Sequence, residues 1–192
     1  SAALAARLAR HPDVAWAVPD QRRRALRVPN DPLFPAVSDG SRPQGPDAGQ
    51  WYLRAPDGTV RSAANVAAAW DRNAGEGVVV AILDTGVRPE HPDLQGRLLP
   101  GIDTIDDLLT ANDGDGADTD PSDPGDWITA AEDRSGPFAG CGEGPSTWHG
   151  TQVATIAGAR ADDDVGMAGT AHGARILPVR VLGKCGGYDS DI

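Results

Sequence analysis

The segment that decides the fold is the apolar run VVVAIL at Val78–Leu83, which begins after GEG at residues 75–77 and ends at DTG, residues 84–86. Most of its residues are β-branched, none is charged, and glycine-containing turn signals bound it on both sides. Uninterrupted apolar strands are typical of parallel sheets that are covered on both faces. The run therefore predicts a core strand with Asp84 at its carboxyl end.

The segments that follow this strand have the order of an α/β domain. Leu98–Thr104 predicts a weaker strand, His149–Ala159 has the composition of a helix, and Ala174–Leu182 predicts a second core strand. A short helix is predicted earlier, at Asn65–Trp70. Strand, helix and strand in succession favour an α/β fold with a mostly parallel sheet flanked by helices.

The first 28 residues differ from the rest of the chain. Ser1–Ala9 predicts the end of an Ala/Leu helix, Val14–Val18 a short strand, and Arg22–Arg27 an exposed basic tether. Residues 28–50 hold five prolines and three glycines with little periodicity, which predicts an extended connecting segment. A domain boundary is therefore expected near Val28.

The charge distribution limits the possible partners. The net charge is -11, but residues 1–28 hold six arginines and two aspartates, so the remainder carries -15. Eleven carboxylates and no lysine or arginine lie between Asp103 and Asp133. A body this acidic is not expected to bind nucleic acid. No apolar run reaches the roughly 18 residues that a membrane span requires, so no membrane partner is expected.

The two cysteines, Cys141 and Cys185, each lie beside glycine in a loop-like context. They could be two buried free thiols, but neither lies in an apolar run, and this favours a disulfide. The bridge would close a loop of about 45 residues and stabilise the fold by roughly 4 kcal/mol. A disulfide indicates an oxidising compartment.

Two polar residues occupy positions suited to catalysis. Asp84 ends the most regular strand, and catalytic groups of α/β sheets gather at the carboxyl ends of strands. Aspartate before Thr-Gly is also a common turn residue. His149 stands at the start of the predicted helix, where a lone histidine is more often a capping or surface residue than a catalyst. Position therefore leaves both interpretations open.

Three sequence motifs favour the catalytic interpretation of Asp84 and His149, because they resemble those of a known family. Residues 79–94 read VVAILDTGVRPEHPDL, residues 149–157 read HGTQVATIA, and residues 176–192 read ILPVRVLGKCGGYDSDI. In this order they resemble the aspartate motif, the histidine motif and the following substrate-binding strand of the subtilases, a family of serine proteases. The resemblance implies that Asp84 is the aspartate of a catalytic triad and that His149 is its general base. Gln152 and Thr155 depart from the histidine motif, at positions that transfer no proton.

The nucleophile is not evident in this chain. None of its eight serines has the Gly-Thr-Ser-Met-Ala type of context that the resemblance requires. The expectation is therefore a precursor fragment of a serine endopeptidase whose serine lies beyond Ile192, inactive alone. The alternative is a non-catalytic subtilase-like module that binds calcium or another protein.

Two calcium sites are expected. Residues 113–126, DGDGADTDPSDPGD, place carboxylates every two or three residues with glycines between them, as a flexible oxygen-rich site requires. The candidate ligands are Asp113, Asp115, Asp118, Asp120, Asp123 and Asp126; a solvated acidic loop is the alternative. The resemblance implies a second site at Asp31, Asp93 and Asp163, completed by backbone carbonyls.

The resemblance also implies how the chain meets its substrate. Gly186, Gly187 and Tyr188 resemble the strand that pairs with an extended peptide, although the glycines could form a plain turn, and Leu182 is a candidate subsite residue. Residues 1–28, with HPDVAWAVPD, resemble the end of an α+β pro-peptide, an intramolecular chaperone and inhibitor. Residues 29–192 are then the N-terminal part of a secreted peptidase domain that acts on proteins or peptides.

Overall fold

The computed structural model describes residues 7–14, 17, 28–35, 49–58 and 60–192. The predicted tether Arg22–Arg27 and most of the helix predicted at Ser1–Ala9 lie outside these residues, and so does most of the strand predicted at Val14–Val18. In the part of the chain that the structure describes, no helix is long and apolar enough to cross a membrane.

The described elements are four helices, two 3-10 turns and three strands, with three of the helices between the second and third strands. The helices are α1 (Ala67–Trp70), α2 (Leu108–Ala111), α3 (Ala130–Arg134) and α4 (His149–Gly158), the 3-10 turns are Trp51–Leu53 and Pro92–Leu94, and the strands are β1 (Val79–Asp84), β2 (Ile102–Asp103) and β3 (Arg175–Arg180).

The three strands form one parallel sheet in the order β1-β3-β2. β1 pairs with β3 from Val79 opposite Arg175 to Asp84 opposite Arg180, and β2 begins with Ile102 opposite Val179. All three strands therefore end at the same edge, which carries Asp84. The predicted α/β fold with a parallel sheet is confirmed. The strand predicted at Leu98–Thr104 is shorter than expected, because only an isolated bridge at Leu98 precedes β2.

Helix α4 covers one face of the sheet. Ile82 of β1, Ile176 of β3 and Ala154 of α4 share a buried apolar cluster with Val87 and Leu94. The opposite face is open among the described residues: Val79 is 52% exposed and Leu83 is 48% exposed. The expectation of a strand covered on both faces is therefore met on one face only in this chain.

The segment at residues 28–35 and 49–58 packs onto the body of the domain. Phe34 and Leu53 join Trp70, Ala74 and Ala168 in a second apolar cluster. The amide of Gln50 donates to the carbonyl of Ala168 at 2.7 Å and accepts from its N–H at 2.8 Å. This part of the chain thus belongs to the α/β body.

A disulfide ties the insertion between β2 and α4 to the segment after β3. Cys141 and Cys185 are bonded, with their Cα atoms 5.6 Å apart, so the predicted bridge is confirmed. The neighbouring Lys184 is buried and pairs with Glu132 of α3. The hydrogen bond from Lys184 lowers the pKa of Glu132 to about 2. The insertion is therefore fixed by a covalent bond and an ion pair.

Candidate catalytic site

Asp84 and His149 lie side by side at the carboxyl edge of the sheet. Nδ1 of His149 is 2.9 Å from Oδ1 and 2.8 Å from Oδ2 of Asp84, although 65 residues separate them in sequence. The Asp84 side chain is 10% exposed and the His149 side chain 61% exposed. A buried carboxylate therefore holds one nitrogen of an imidazole that is open to solvent.

Two glycines allow the strand and the helix to approach this closely. A Cβ atom at Gly150 would lie 2.1 Å from the carbonyl oxygen of Gly86. Gly86 itself has φ of +92°, and a Cβ there would lie 2.5 Å from the carbonyl oxygen of Pro121. Only glycine fits both positions without movement of the backbone. The DTG residues at the end of β1 and the HG residues at the start of α4 are thus in direct contact.

The hydroxyl of Thr85, the residue after Asp84, also connects the aspartate motif to the histidine motif. Thr85 Oγ1 accepts the N–H of Gly150 at 3.0 Å and donates to Oδ2 of Asp123 at 2.7 Å. Sequence reasoning did not single out Thr85 and assigned Asp123 to a metal site. Burial raises the pKa of Asp123, and the hydrogen bond from Thr85 partly offsets this. The signal that could have indicated Thr85 is its place directly after Asp84.

A cavity of about 500 Å³ lies beside the first turns of α4. Trp148 and Gln152 line it together with the loop that holds Arg88 and His91. The guanidinium of Arg88 lies 4.8 Å from the centre of the Trp148 ring, which is a cation–π contact. Gln152, one of the departures from the histidine motif, thus faces this cavity, and its amide donates to the carbonyl of Thr147 at 2.8 Å.

The residues predicted to bind substrate lie after β3. The N–H of Leu182 donates to the carbonyl of Asp84 at 3.2 Å, and Leu182 is half-buried. Gly186 has φ of +100° and pairs with Gly183 in a tight antiparallel bridge. Gly187 and the exposed Tyr188 line a cavity of about 250 Å³. In the described residues, Gly186 thus forms a turn. Leu182, four residues earlier, is hydrogen-bonded to the backbone of Asp84.

Asp31 and Asp93 converge on the loop at residues 162–167. Oδ2 of Asp31 accepts the N–H of Asp162 at 2.9 Å, and Oδ2 of Asp93 accepts the N–H of Met167 at 3.2 Å. Both residues are almost fully buried, and Oδ1 of each has no hydrogen-bond partner in the part of the chain that the structure describes. Burial raises the pKa of both carboxyls. Two buried carboxylate oxygens without a partner, beside a loop of backbone carbonyls, fit the donor chemistry of a calcium ion.

The third residue predicted for this site is engaged elsewhere. Asp163 accepts from Arg160 at 3.1 Å through Oδ2 and from the N–H of Val165 at 3.1 Å through Oδ1. Its charge still raises the pKa of Asp31 and Asp93 as a minor contribution, after burial. In this arrangement Asp163 lies near the other two carboxylates without joining them.

The acidic stretch does not gather its side chains around one point. Asp115 donates its N–H to Asp113 at 3.3 Å, Asp120 donates to Asp118 at 2.7 Å, and Ser122 donates to Asp120 at 3.0 Å, so these carboxylates stabilise local turns. Asp126 accepts from both the N–H and the hydroxyl of Thr147, at 2.6 and 2.8 Å. Among the described residues, no group of three or more His, Cys, Asp or Glu side chains could hold a metal ion.

A buried arginine accounts for part of the acidic stretch. Arg180, at the end of β3, is 1% exposed and pairs with Asp103 and Asp113. It also donates to the carbonyl of Ala111. Burial raises the pKa of Asp103, while the N–H of Ile105 and the charge of Arg180 lower it in part. Asp103 and Asp113 are therefore anchored to the end of β3 by an ion-pair network, and the calcium site predicted for residues 113–126 stays a prediction.

Comparison with known proteins adds a family and several relatives. A family model described as "Subtilase family" matches residues 75–192. The chain is 40% identical over 193 residues to an extracellular protease of Xanthomonas campestris pv. campestris, covering 98% of this chain and 29% of that protein. It is 39% identical over 186 residues to an extracellular basic protease of Dichelobacter nodosus, covering 96% and 28%.

A solved structure is also similar. The chain is 43% identical to a protease from Pseudoalteromonas arctica, with a TM-score of 0.67 over 85% of this chain and 41% of that one. The chain thus spans less than a third of the two extracellular proteases that it matches.

Proposed function

The chain belongs to the subtilase family, and on that premise we propose that it supplies the aspartate and histidine of an Asp-His-Ser triad in a secreted serine endopeptidase. The observation that carries the proposal is the contact of His149 Nδ1 with Asp84 at 2.8 Å, at the carboxyl edge of a parallel sheet. The names of the relatives, both extracellular proteases, support the reaction and the location. The disulfide supports an oxidising compartment as well.

Asp84 and His149 have different roles in the proposed reaction. Asp84 accepts the Nδ1 proton of His149, which fixes the tautomer that leaves Nε2 free to act as a base. Nε2 removes the proton from a serine hydroxyl as that oxygen attacks a peptide carbonyl, and it later gives the proton to the leaving amine. The buried Asp84 stabilises the imidazolium that forms in between. The serine is proposed to lie downstream of Ile192 in the whole protein.

The division of the chain is part of the proposal. Residues 1–28 are the end of a pro-peptide that assists folding and inhibits the enzyme, and residues 29–192 are the front of the peptidase domain. Burial of Phe34 in the body of the domain supports the assignment of the segment after residue 28 to the peptidase. Proteins or peptides are the substrates, with Leu182, Gly186, Gly187 and Tyr188 as the residues that contact the extended chain.

Calcium is proposed at Asp31 and Asp93, with backbone carbonyls of the 162–167 loop completing the shell and Asp163 nearby. A divalent ion there supplies positive charge to two buried carboxylates whose Oδ1 atoms have no hydrogen-bond partner among the described residues. Asp31 and Asp93 hold the N-terminal segment and the turn after β1 against one loop. The ion therefore has a structural role, and no step of the reaction involves it.

A fluorophosphonate probe tests the catalytic proposal. In the full-length product, one serine downstream of Ile192 is expected to react, because a general base makes an otherwise ordinary hydroxyl phosphonylate. His149→Ala is expected to abolish the labelling, as loss of a triad member does. A full-length product that never labels would instead favour the non-catalytic module.

A further inference from the structure

Helix α4 has no side-chain cap from its N-cap residue, although Thr147 Oγ1 accepts the N–H of His149, the first residue of the helix, at 3.3 Å. Its N-cap residue is Trp148, which is in the left-handed region with φ of 51° and makes no side-chain cap hydrogen bond. The first N–H groups of a helix have no partner within the helix and need an external acceptor. Serine, threonine, asparagine and aspartate at the N-cap usually provide that acceptor, and tryptophan has no side-chain oxygen.

The second N–H of the helix is accepted by a hydroxyl from the end of β1. The N–H of Gly150, the second residue of α4, donates to Oγ1 of Thr85 at 3.0 Å. Thr85 follows Asp84 directly, and its own N–H donates to Oδ1 of Asp84 at 2.7 Å. One residue therefore contacts both the carboxylate of the pair and the first turn of the helix that carries His149.

Asp123 determines the direction in which this hydroxyl points. A threonine hydroxyl has one proton to donate and lone pairs to accept. Oδ2 of Asp123 accepts that proton at 2.7 Å, which leaves a lone pair of Thr85 Oγ1 for Gly150. Oδ1 of Asp123 is held in turn by the N–H of Gly125 at 2.8 Å, and Asp123 is 5% exposed. All of these groups are buried, so water does not compete for them.

We propose that Asp123 is a positioning residue for the Asp84–His149 pair, acting through the Thr85 hydroxyl to hold the start of α4 against the end of β1. The inference rests on the proposed function. In this proposal, Asp123 positions the site through hydrogen bonds, and this role does not require a bound cation. Asp123 touches neither substrate nor reacting atoms, so its effect on the reaction is indirect.

The test compares three variants of the full-length protease at saturating calcium. Thr85→Val removes the hydroxyl with little change in shape, Thr85→Ser retains it, and Asp123→Asn exchanges an acceptor for a donor that opposes either Thr85 or the Gly125 N–H. Misplacement of a catalytic group by about 1 Å costs on the order of a hundredfold in rate. We expect kcat to fall about 10- to 100-fold in Thr85→Val and Asp123→Asn with KM within about twofold.

Two controls isolate the effect of the hydroxyl. Thr85→Ser is expected to keep kcat within about threefold of the wild type, because it preserves both hydrogen bonds. Thr119→Val, an exposed threonine in the same acidic segment, is expected to leave kcat unchanged. Wild-type kcat in Asp123→Asn, or a loss in Thr85→Ser as large as in Thr85→Val, would overturn the proposal.

A second measurement does not depend on activity. In the full-length protein, the Nδ1–H proton of His149 hydrogen-bonded to Asp84 is expected to give its own NMR resonance, which reports the alignment of the pair. That resonance is expected to shift or broaden in Thr85→Val and Asp123→Asn and to persist in Thr85→Ser. An unchanged resonance in all three variants overturns the positioning role even if the chain proves non-catalytic, whereas absence of fluorophosphonate labelling in the wild type refutes only the proposed function.

Discussion

The close contact between Gly150 and Gly86 predicts that Gly150→Ala loses most of its activity but little of its stability. A Cβ at Gly150 would lie 2.1 Å from the carbonyl oxygen of Gly86, and side-chain Cβ atoms essentially never come closer than 3.0 Å to such an atom. The backbone carbonyl cannot rotate away as a side chain could. Gly150→Ala must therefore move the start of α4 away from the DTG turn by roughly 1 Å, the displacement that costs on the order of a hundredfold in rate.

The expected loss of stability is much smaller. Alanine is favoured over glycine within a helix by about 1 kcal/mol, while forcing an extra methyl group into a packed contact costs about 1 to 3 kcal/mol. The two effects largely cancel, so the free energy of unfolding is expected to fall by no more than about 2 kcal/mol. A hundredfold loss of kcat corresponds to about 2.7 kcal/mol in the transition state. The variant is therefore expected to be folded and poorly active.

The assay measures kcat on a peptide substrate and urea unfolding for the full-length protease and its Gly150→Ala variant. Gly144→Ala is the matched control, since a Cβ there meets no atom of the described residues within 4 Å. It is expected to retain full activity. Wild-type kcat in Gly150→Ala would contradict the prediction, because it would show that the spacing between α4 and the DTG turn does not control the reaction.

Three further predictions concern stability. Calcium is expected to raise the free energy of unfolding relative to chelator, by about 2.7 kcal/mol at a hundredfold excess over its dissociation constant, and identical urea curves would contradict the site. In chelator, burial raises the pKa of Asp31 and Asp93 in the folded state, so their contribution to the free energy of unfolding is greatest below their ordinary pKa values and is lost as pH rises through the raised values. The stabilisation by calcium relative to chelator should therefore grow as pH rises over that range, and a stabilisation that shrinks would contradict the site. Replacing Cys141 and Cys185 by serine is expected to cost about 4 kcal/mol in urea unfolding, and a loss below about 1 kcal/mol would show that the bridge adds little.

The sequence predicted the elements whose determinants are local. The run before Asp84 became β1 at Val79–Asp84, and the segment predicted as a helix at His149–Ala159 became α4, one residue shorter. Both follow from contiguous residues: apolar β-branched side chains in the strand, and a helical composition after His149. The strand predicted at Leu98–Thr104 was too long because Pro100 has no N–H to donate and Gly101 lies against Pro178, which leaves only two residues in β2.

The remainder of the site depends on partners distant in the sequence. Nothing near Asp113 indicates that Arg180, 67 residues away, will bind it inside the protein. In the same way, Asp123 meets Thr85 across 38 residues, so its hydrogen bonds were not predictable from spacing within the acidic stretch. An acidic run of this composition fits a calcium loop and an ion-pair network equally well. The ion pairs become visible only in the fold, which brings β3 and the insertion together.

The most direct test of the catalytic pair is the kcat of Asp84→Asn in the full-length protease. The amide keeps the shape of the carboxylate but cannot hold His149 in the tautomer that frees Nε2, nor stabilise the imidazolium. The account predicts a fall of about 10⁴-fold in kcat with little change in KM, in a protein that unfolds normally. A variant within tenfold of the wild-type kcat would contradict the assignment of Asp84 and His149 as the catalytic pair.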